Sequence, residues 1–213
     1  ARLNVYAGLA GMYVIRDDEE DALGLPSCDQ EIPLMLMDRN LELDSAGNFT
    51  GKMLHKTETD TGPMEFFGPY TVVNGTIWPH FDVTPQTYRL RWLNASNART
   101  YRLVFCVENT SGGWDIVASD SGLIQQIGTD AGLLQQAANL PAGGLVLSPA
   151  ERADLLVNFG IHAGKRVRVY NTAEAPFNAQ DPWSGAPDEA SEADRRPFPE
   201  VMEFRVEAGL AMP

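Results

Sequence analysis

Short stretches in which apolar and polar residues alternate predict most of the secondary structure of this chain. In residues 87–94, Tyr88, Leu90 and Trp92 share one face and two arginines share the other, a pattern typical of a half-buried strand. The same reasoning predicts strands at 3–15, 31–38, 70–73, 100–107, 145–147, 154–159, 166–170 and 201–206. Many short strands between Gly- and Pro-containing turns, without sustained helical periodicity, predict an all-β sandwich or barrel.

Two polar stretches interrupt this pattern. Five consecutive acids at 17–21 precede Gly24 and Pro26, and two interpretations stay open for them: a domain linker or a solvated surface loop. Residues 174–199 carry five prolines and six acids, which predicts a long exposed loop between two late strands.

Composition narrows the range of partners. The 213 residues correspond to one large domain or to one domain with a piece of another. Because the net charge is −13, we expect no binding to nucleic acid or anionic lipid. No apolar run approaches the roughly 20 residues of a membrane helix, so we expect a soluble protein without a membrane partner.

Residues that could carry chemistry are few. The three histidines, His55, His80 and His162, are too far apart in sequence to form a local metal-binding motif. Cys28 and Cys106 are too far apart for a zinc or redox pair, and a disulfide between them stays open; the alternation makes Cys106 a packing residue. No Gly-x-Ser-x-Gly motif occurs, although a triad assembled from distant positions stays open. Composition and spacing alone therefore predict an acidic β-sandwich and no particular reaction.

Longer motifs carry a family resemblance. The run GPYTVVNGTIWPH at 68–80 and the run YRLRWLNASNARTY at 88–101 resemble multicopper oxidases, and so do residues 2–17, 31–40, 126–134 and 147–159, in the family's order. The similarity is to bacterial three-domain enzymes of the phenoxazinone synthase and spore-coat laccase kind. It implies a cupredoxin-like Greek-key β-sandwich or barrel.

The resemblance also implies a domain organisation. Residues 1–17 correspond to the C-terminal tail of a first cupredoxin domain, just after a His-x-His copper motif, and 18–30 to a linker. Residues 31–207, with the long loop 174–199, correspond to a second cupredoxin domain that holds no copper. Residues 208–213 start the linker to a third domain. Copper is therefore expected in other parts of the protein, and the resemblance transfers no copper ligand to this chain.

The family's activity gives the functional expectation. Such enzymes oxidise phenols or aminophenols at a mononuclear copper and reduce dioxygen to water at a trinuclear cluster. The second domain joins the other two and lines part of the substrate pocket. In this chain the lining residues are expected to be Phe66, Phe67, Ala98, Glu174 and Ala175. For the two phenylalanines, core packing is the competing interpretation.

Several alternatives accompany this expectation. A copper-free cupredoxin that serves as a scaffold or interaction protein is the rival function. The expected partners are the remaining domains of the same oxidase, a small phenol and dioxygen, with homo-oligomers a further expectation because relatives form rings. Some relatives hold an additional copper near the long connection of the second and third domains, which makes His162 or an acid in the late loop a candidate ligand to inspect. Because the chain has only two cysteines, a cytoplasmic location is slightly favoured, and the compartment stays open.

Overall fold

The computed structural model describes residues 2–55, 58, 59, 62, 63, 65–117, 121–141, 143–179 and 200–208. Its strands are β1 (Glu31–Arg39), β2 (Leu41–Leu43), β3 (Phe49–Met53), β4 (Glu58–Thr59), β5 (Gly62–Pro63), β6 (Tyr70–Val73), β7 (Thr76–Ile77), β8 (His80–Val83), β9 (Thr87–Asn94), β10 (Tyr101–Glu108), β11 (Trp114–Ile116), β12 (Ile124–Thr129), β13 (Gly132–Asn139), β14 (Leu145–Leu147), β15 (Arg152–Asn158), β16 (Arg166–Asn171) and β17 (Glu200–Val206). The helices are α1 (Arg2–Tyr6) and α2 (Asp18–Ala22), with 3-10 turns at Cys28–Gln30 and Phe159–His162.

Two large sheets form a sandwich. The seven-stranded sheet has the order β13-β12-β15-β9-β1-β6-β7, and the other has the order β11-β10-β16-β17-β8, with β14 also paired to β10. Most neighbours are antiparallel, but β1 pairs with β9 and β17 with β8 in parallel. A parallel neighbour cannot follow through a tight hairpin, so the chain crosses between the sheets. The predicted all-β sandwich is confirmed.

The core lies between these two sheets. Alternate residues of β9 and β10 point into it, so that Trp92 packs edge-on against Phe105 with ring centroids 6.3 Å apart. Tyr88 and Leu90 are buried on the same face of β9, as predicted. The opposite face of β10 is buried as well, because Val104 and Cys106 pack with Tyr170 in a second apolar cluster. The prediction that Cys106 is a packing residue is confirmed.

The N-terminal residues differ from the prediction. Residues 3–15 were expected to form strand structure, but the chain begins with helix α1 and continues without regular structure from Leu9 to Asp17. The backbone bonds locally here: the N–H of Ala7 donates to Leu3 O at 2.8 Å. β-Branched and aromatic residues favour strands only beside a partner strand, and none of the described strands pairs with this stretch.

The acidic stretch also has more structure than expected. Residues 18–22 form helix α2, whose N-terminus is capped by the side chain of Asp17, which accepts from the N–H of Glu20 at 2.7 Å. The side chain of Glu20 lies against the sandwich rather than in solvent, where it accepts hydrogen bonds from Arg89 and Arg91. The solvated-loop interpretation is therefore wrong for Glu20.

Turns follow the sequence signals more closely. Asn74 and Gly75, both with positive φ, close the hairpin between β6 and β7, as this dipeptide predicts. Of the predicted loop 174–199, the structure describes residues 174–179, and the remainder lies outside the described residues, as do 209–213. Among the helices of the described part, none has the length and apolar character that crossing a membrane requires.

Candidate functional site

The five predicted wall residues come from three segments of the chain. Phe66 and Phe67 lie just before β6, Ala98 lies in the turn between β9 and β10, and Glu174 and Ala175 follow β16. Phe66 is buried, whereas the other four are partly exposed.

Strand pairing brings the second and third segments to one end of the sandwich. β16 runs antiparallel to β10, with Leu103 opposite Asn171. The chain keeps this direction beyond the strand, since the N–H of Thr172 donates to Arg102 O at 2.9 Å. Glu174 therefore leaves the sheet where β10 begins, at the end that carries Ala98.

Arg99 joins the first segment to the same end. Its Nη2 donates to Gly68 O at 2.8 Å, and its guanidinium carbon lies 5.7 Å from the ring centroid of Phe67. Both distances fall within the range of direct interaction. Phe67, Ala98 and Glu174 thus share one end of the fold.

Phe66 has a different environment. Its ring stacks on the imidazole of His55 with centroids 5.0 Å apart, and it meets the ring of Tyr6 edge-on at 4.7 Å. The Tyr6 hydroxyl donates to Leu54 O at 2.6 Å, which attaches helix α1 to this cluster. Phe66 is 3% exposed. This burial agrees with core packing, the competing interpretation for Phe66.

Asp38 is the residue that the sequence did not indicate. It ends up 1% exposed near the C-terminus of β1, where its Oδ2 accepts from the N–H of Gly68 at 2.6 Å and from Nε of Arg99 at 3.1 Å. Its only sequence signal is an acid in the buried run 31–39. Its partners are 30 and 61 positions away, so no local pattern could have found the pair.

The Tyr101 hydroxyl lies in the same buried corner. The side chain is fully buried, and its oxygen is 3.2 Å from Ser96 Oγ. Burial raises the pKa of Tyr101, and the nearby charge of Asp38 raises it further. The phenol is therefore neutral in the folded protein and acts through hydrogen bonds.

The three histidines do not form a copper site. His55 is packed in the aromatic cluster, His80 begins β8, and His162 ends a 3-10 turn. Burial lowers the pKa of His162, and Lys165 lowers it further. Within the described residues, no group of three or more His, Cys, Asp or Glu side chains is arranged to hold a metal ion. The residues that the structure describes therefore do not fit a copper centre.

A concave surface lies on the outer face of the sheet that contains β8, β16 and β17. It has a volume of about 400 Å³ and is lined in part by Trp78, His80 and Arg205. Its arginines are paired internally, since Arg168 donates to Glu203 at 2.7 Å and Arg205 donates to the same carboxylate at 2.9 Å. This neutralised surface shares none of the predicted wall residues.

The solved structures similar to this chain are multicopper oxidases. McoA from Aquifex aeolicus matches with a TM-score of 0.68 and 29% identity over 97% of this chain and 39% of that one. A multicopper oxidase from Pediococcus acidilactici matches with a TM-score of 0.59 and 28% identity over 90% of this chain and 31% of that one. No family model matches the chain. Together with the two packed sheets, these neighbours define a protein of the cupredoxin-fold class.

Sequence relatives narrow the class further. The laccase of Bacillus subtilis is 36% identical over 175 residues, which cover 81% of this chain and 31% of the relative. The laccase of Haloferax volcanii is 36% identical over 200 residues, covering 89% of this chain and 32% of the relative. The chain belongs to the multicopper oxidase family, and it spans about a third of the length of these relatives.

Proposed function

We propose that this chain is the joining segment of a laccase-like multicopper oxidase that oxidises phenols or aminophenols and reduces dioxygen to water. The similarity to two laccases over more than four fifths of the chain carries the proposal. The phenoxazinone synthase and spore-coat laccase kind remains the proposed subtype. The proposed domains are a first-domain tail at 1–17, a linker at 18–30 and a second cupredoxin domain at 31–207.

Copper is proposed to be held by other parts of the protein, where it would supply the electron-transfer chemistry. This chain contributes a wall of the substrate pocket, formed by Phe67, Ala98, Glu174 and Ala175 with Phe66 behind them. Phe67 offers an aromatic surface, and Ala98 leaves room for a ring beside it. The carboxylate of Glu174 can accept a hydrogen bond from a phenolic hydroxyl or an amino group.

The remaining domains of the oxidase are the proposed partners of the N-terminal stretch. Leu9, Tyr13 and Ile15 are 73%, 89% and 74% exposed although they are large and apolar. Adjacent exposed apolar side chains mark a surface that another part of a protein covers. We propose that residues 9–15 pack against these domains.

Oxygen uptake by the full-length protein, loaded with copper and supplied with an aminophenol, tests the proposed function. We expect uptake that depends on the aminophenol, together with the visible absorption of a blue copper centre. A copper-loaded protein with neither property would refute the oxidase and favour the copper-free scaffold.

A further inference from the structure

The backbone of Gly68 is held by an ion pair. Asp38 accepts from its N–H, and Arg99 donates to its carbonyl oxygen, while the two side chains bond each other at 3.1 Å. Both backbone polar groups of Gly68 are thus bound by charged partners. Charge-assisted hydrogen bonds are about twice as strong as neutral ones, so this residue has little freedom to move.

Close packing also restricts Gly68. A Cβ at this position would lie 2.5 Å from the backbone carbon of Arg39, a distance that real Cβ atoms do not reach. The peptide therefore lies directly on the end of β1. Because the ion pair and the β1 backbone both restrict Gly68, the position of the preceding residue, Phe67, is closely defined.

Arg99 also contacts the ring of Phe67 itself, with its guanidinium carbon 5.7 Å from the ring centroid. This geometry lets a cation attract the aromatic face. One side chain therefore contacts the ring of Phe67 and also bonds the backbone of Gly68, the residue that follows it. Ala98 is the neighbour of Arg99 in sequence.

The energetic cost of the pair suggests a role beyond stability. Asp38 is 1% exposed, and its Oδ1 has no hydrogen-bond partner among the described residues. A buried ion pair often stabilises a fold no better than apolar residues of the same size, because desolvation offsets the attraction. What the pair provides here is a defined geometry for the segment in front of β6.

We propose that Arg99, held by Asp38, is a positioning residue that fixes the ring of Phe67 in the substrate wall and so determines how tightly an aromatic reducing substrate binds. This rests on the proposed function, because it requires Phe67 to face the substrate. Arg99 itself touches Phe67 and Gly68.

The test uses the full-length, copper-loaded protein with the variants Arg99→Met, Arg99→Lys and Phe67→Ala. Arg152→Met is the control, since Arg152 is a half-exposed surface residue paired with Asp130 at 3.2 Å. We call the hold of Asp38 and Arg99 on the Gly68 backbone the clamp. Hydrogen exchange of the peptide covering residues 65–69, followed by mass spectrometry, measures how firm the clamp is. KM and kcat for an aminophenol, from oxygen uptake, report the wall.

For Arg99→Met we expect exchange in this peptide to be roughly tenfold faster and KM to rise roughly tenfold, the change that corresponds to one lost charged hydrogen bond. We expect kcat to stay within about twofold, because a wall residue contributes mainly to binding. Arg99→Lys, which keeps the charge, should recover part of both losses. Phe67→Ala should raise KM without accelerating exchange, and Arg152→Met should change neither.

Each contrary result has a distinct meaning. Unchanged exchange in Arg99→Met, or in Arg99→Lys if the methionine variant does not fold, would refute the clamp. Faster exchange with unchanged KM would refute positioning by Arg99. Unchanged KM in Phe67→Ala would show that Phe67 does not contact the substrate, and the proposal would then be refuted. No oxygen uptake by the unmodified protein would refute the proposed function, whereas the exchange data would still report the clamp.

Discussion

Glu20 in helix α2 accepts a hydrogen bond of 2.7 Å from the buried guanidinium of Arg89 in strand β9. Arg91, two residues further along the strand, donates to the same carboxylate oxygen at 2.6 Å. Arg89 also donates to Asp154 in the neighbouring strand, with its Nη2 at 2.6 Å from Oδ2. One glutamate therefore attaches the acidic stretch to the outer face of the seven-stranded sheet.

Glu20→Gln is expected to destabilise the protein by about 1–2 kcal/mol, because the amide keeps one acceptor but loses the charge that two arginines share. Urea unfolding measures the change. Glu19→Gln in the same helix is the matched control, since Glu19 is exposed, and we expect a change within about 0.5 kcal/mol. Equal effects of the two substitutions would contradict the attachment through Glu20.

The same network predicts a dependence on acid. Burial raises the pKa of Glu20 and of Glu31, but hydrogen bonds and charges from Arg89, Arg91 and Arg16 outweigh it and lower both below the ordinary value of 4.5. A depressed pKa in the folded state means that the stabilisation is complete above about pH 4.5 and is lost as the pH falls through the lower folded values.

We therefore expect the stability difference between the unmodified protein and Glu20→Gln to be constant near neutral pH and to shrink towards zero in acid. Urea midpoints at a series of pH values would show this. A difference that does not begin to shrink as the pH falls below 4.5 would mean that the carboxylate charge of Glu20 is not the stabilising feature.

The sequence predicted the core-facing side chains of the strands better than it predicted which side chains on their outer faces are buried. Alternation in β9 placed Tyr88 and Trp92 in the core correctly, because this depends only on the period of a strand. It also made the arginine face half-exposed, whereas Arg89 is 2% exposed. Its partners Glu20 and Asp154 are 69 and 65 residues away, so this burial depends on tertiary contacts that no local pattern contains.

The candidate site divides in the same way. The resemblance selected Phe67, Ala98 and Glu174. Strand pairing brings Ala98 and Glu174 to one end of the fold, and the contacts of Arg99 connect Phe67 to that end. Arg99 could not be selected, because its role depends on Asp38 and on the Gly68 backbone, which lie in other strands or loops. The strand prediction for residues 3–15 was wrong because strand propensity alone does not form a strand, and none of the described strands pairs with this stretch.

Gly68→Ala tests the close approach of this peptide to β1. Because the added methyl would meet backbone atoms of Arg39 rather than a flexible side chain, we expect a loss of about 1–3 kcal/mol in unfolding free energy. Gly11→Ala is the control, since a Cβ there meets nothing within 4 Å and φ is not positive. We expect the control to change stability by less than about 1 kcal/mol. A tolerated Gly68→Ala would show that the contact is looser than described.

The two cysteines should differ in reactivity. Cys28 is exposed, Cys106 is fully buried, and neither is in a disulfide bond. A buried thiol reacts only when the protein opens, so iodoacetamide should label Cys28 in the folded protein and Cys106 only in urea. Mass spectrometry of peptides identifies the sites. Labelling of neither cysteine until a reductant is added would instead indicate a disulfide between them.

The central claim is that the end of the sandwich carrying Phe67, Ala98 and Glu174 faces the reducing substrate. The most direct measurement is photolabelling of the full-length, copper-loaded protein with an aryl azide of the size of a phenol, followed by peptide mapping. We expect adducts within residues 65–68, 98–101 or 174–177, and we expect an aminophenol to compete for them. Competed adducts confined to the concave surface around Trp78 and His80, or found nowhere in this chain, would contradict the claim.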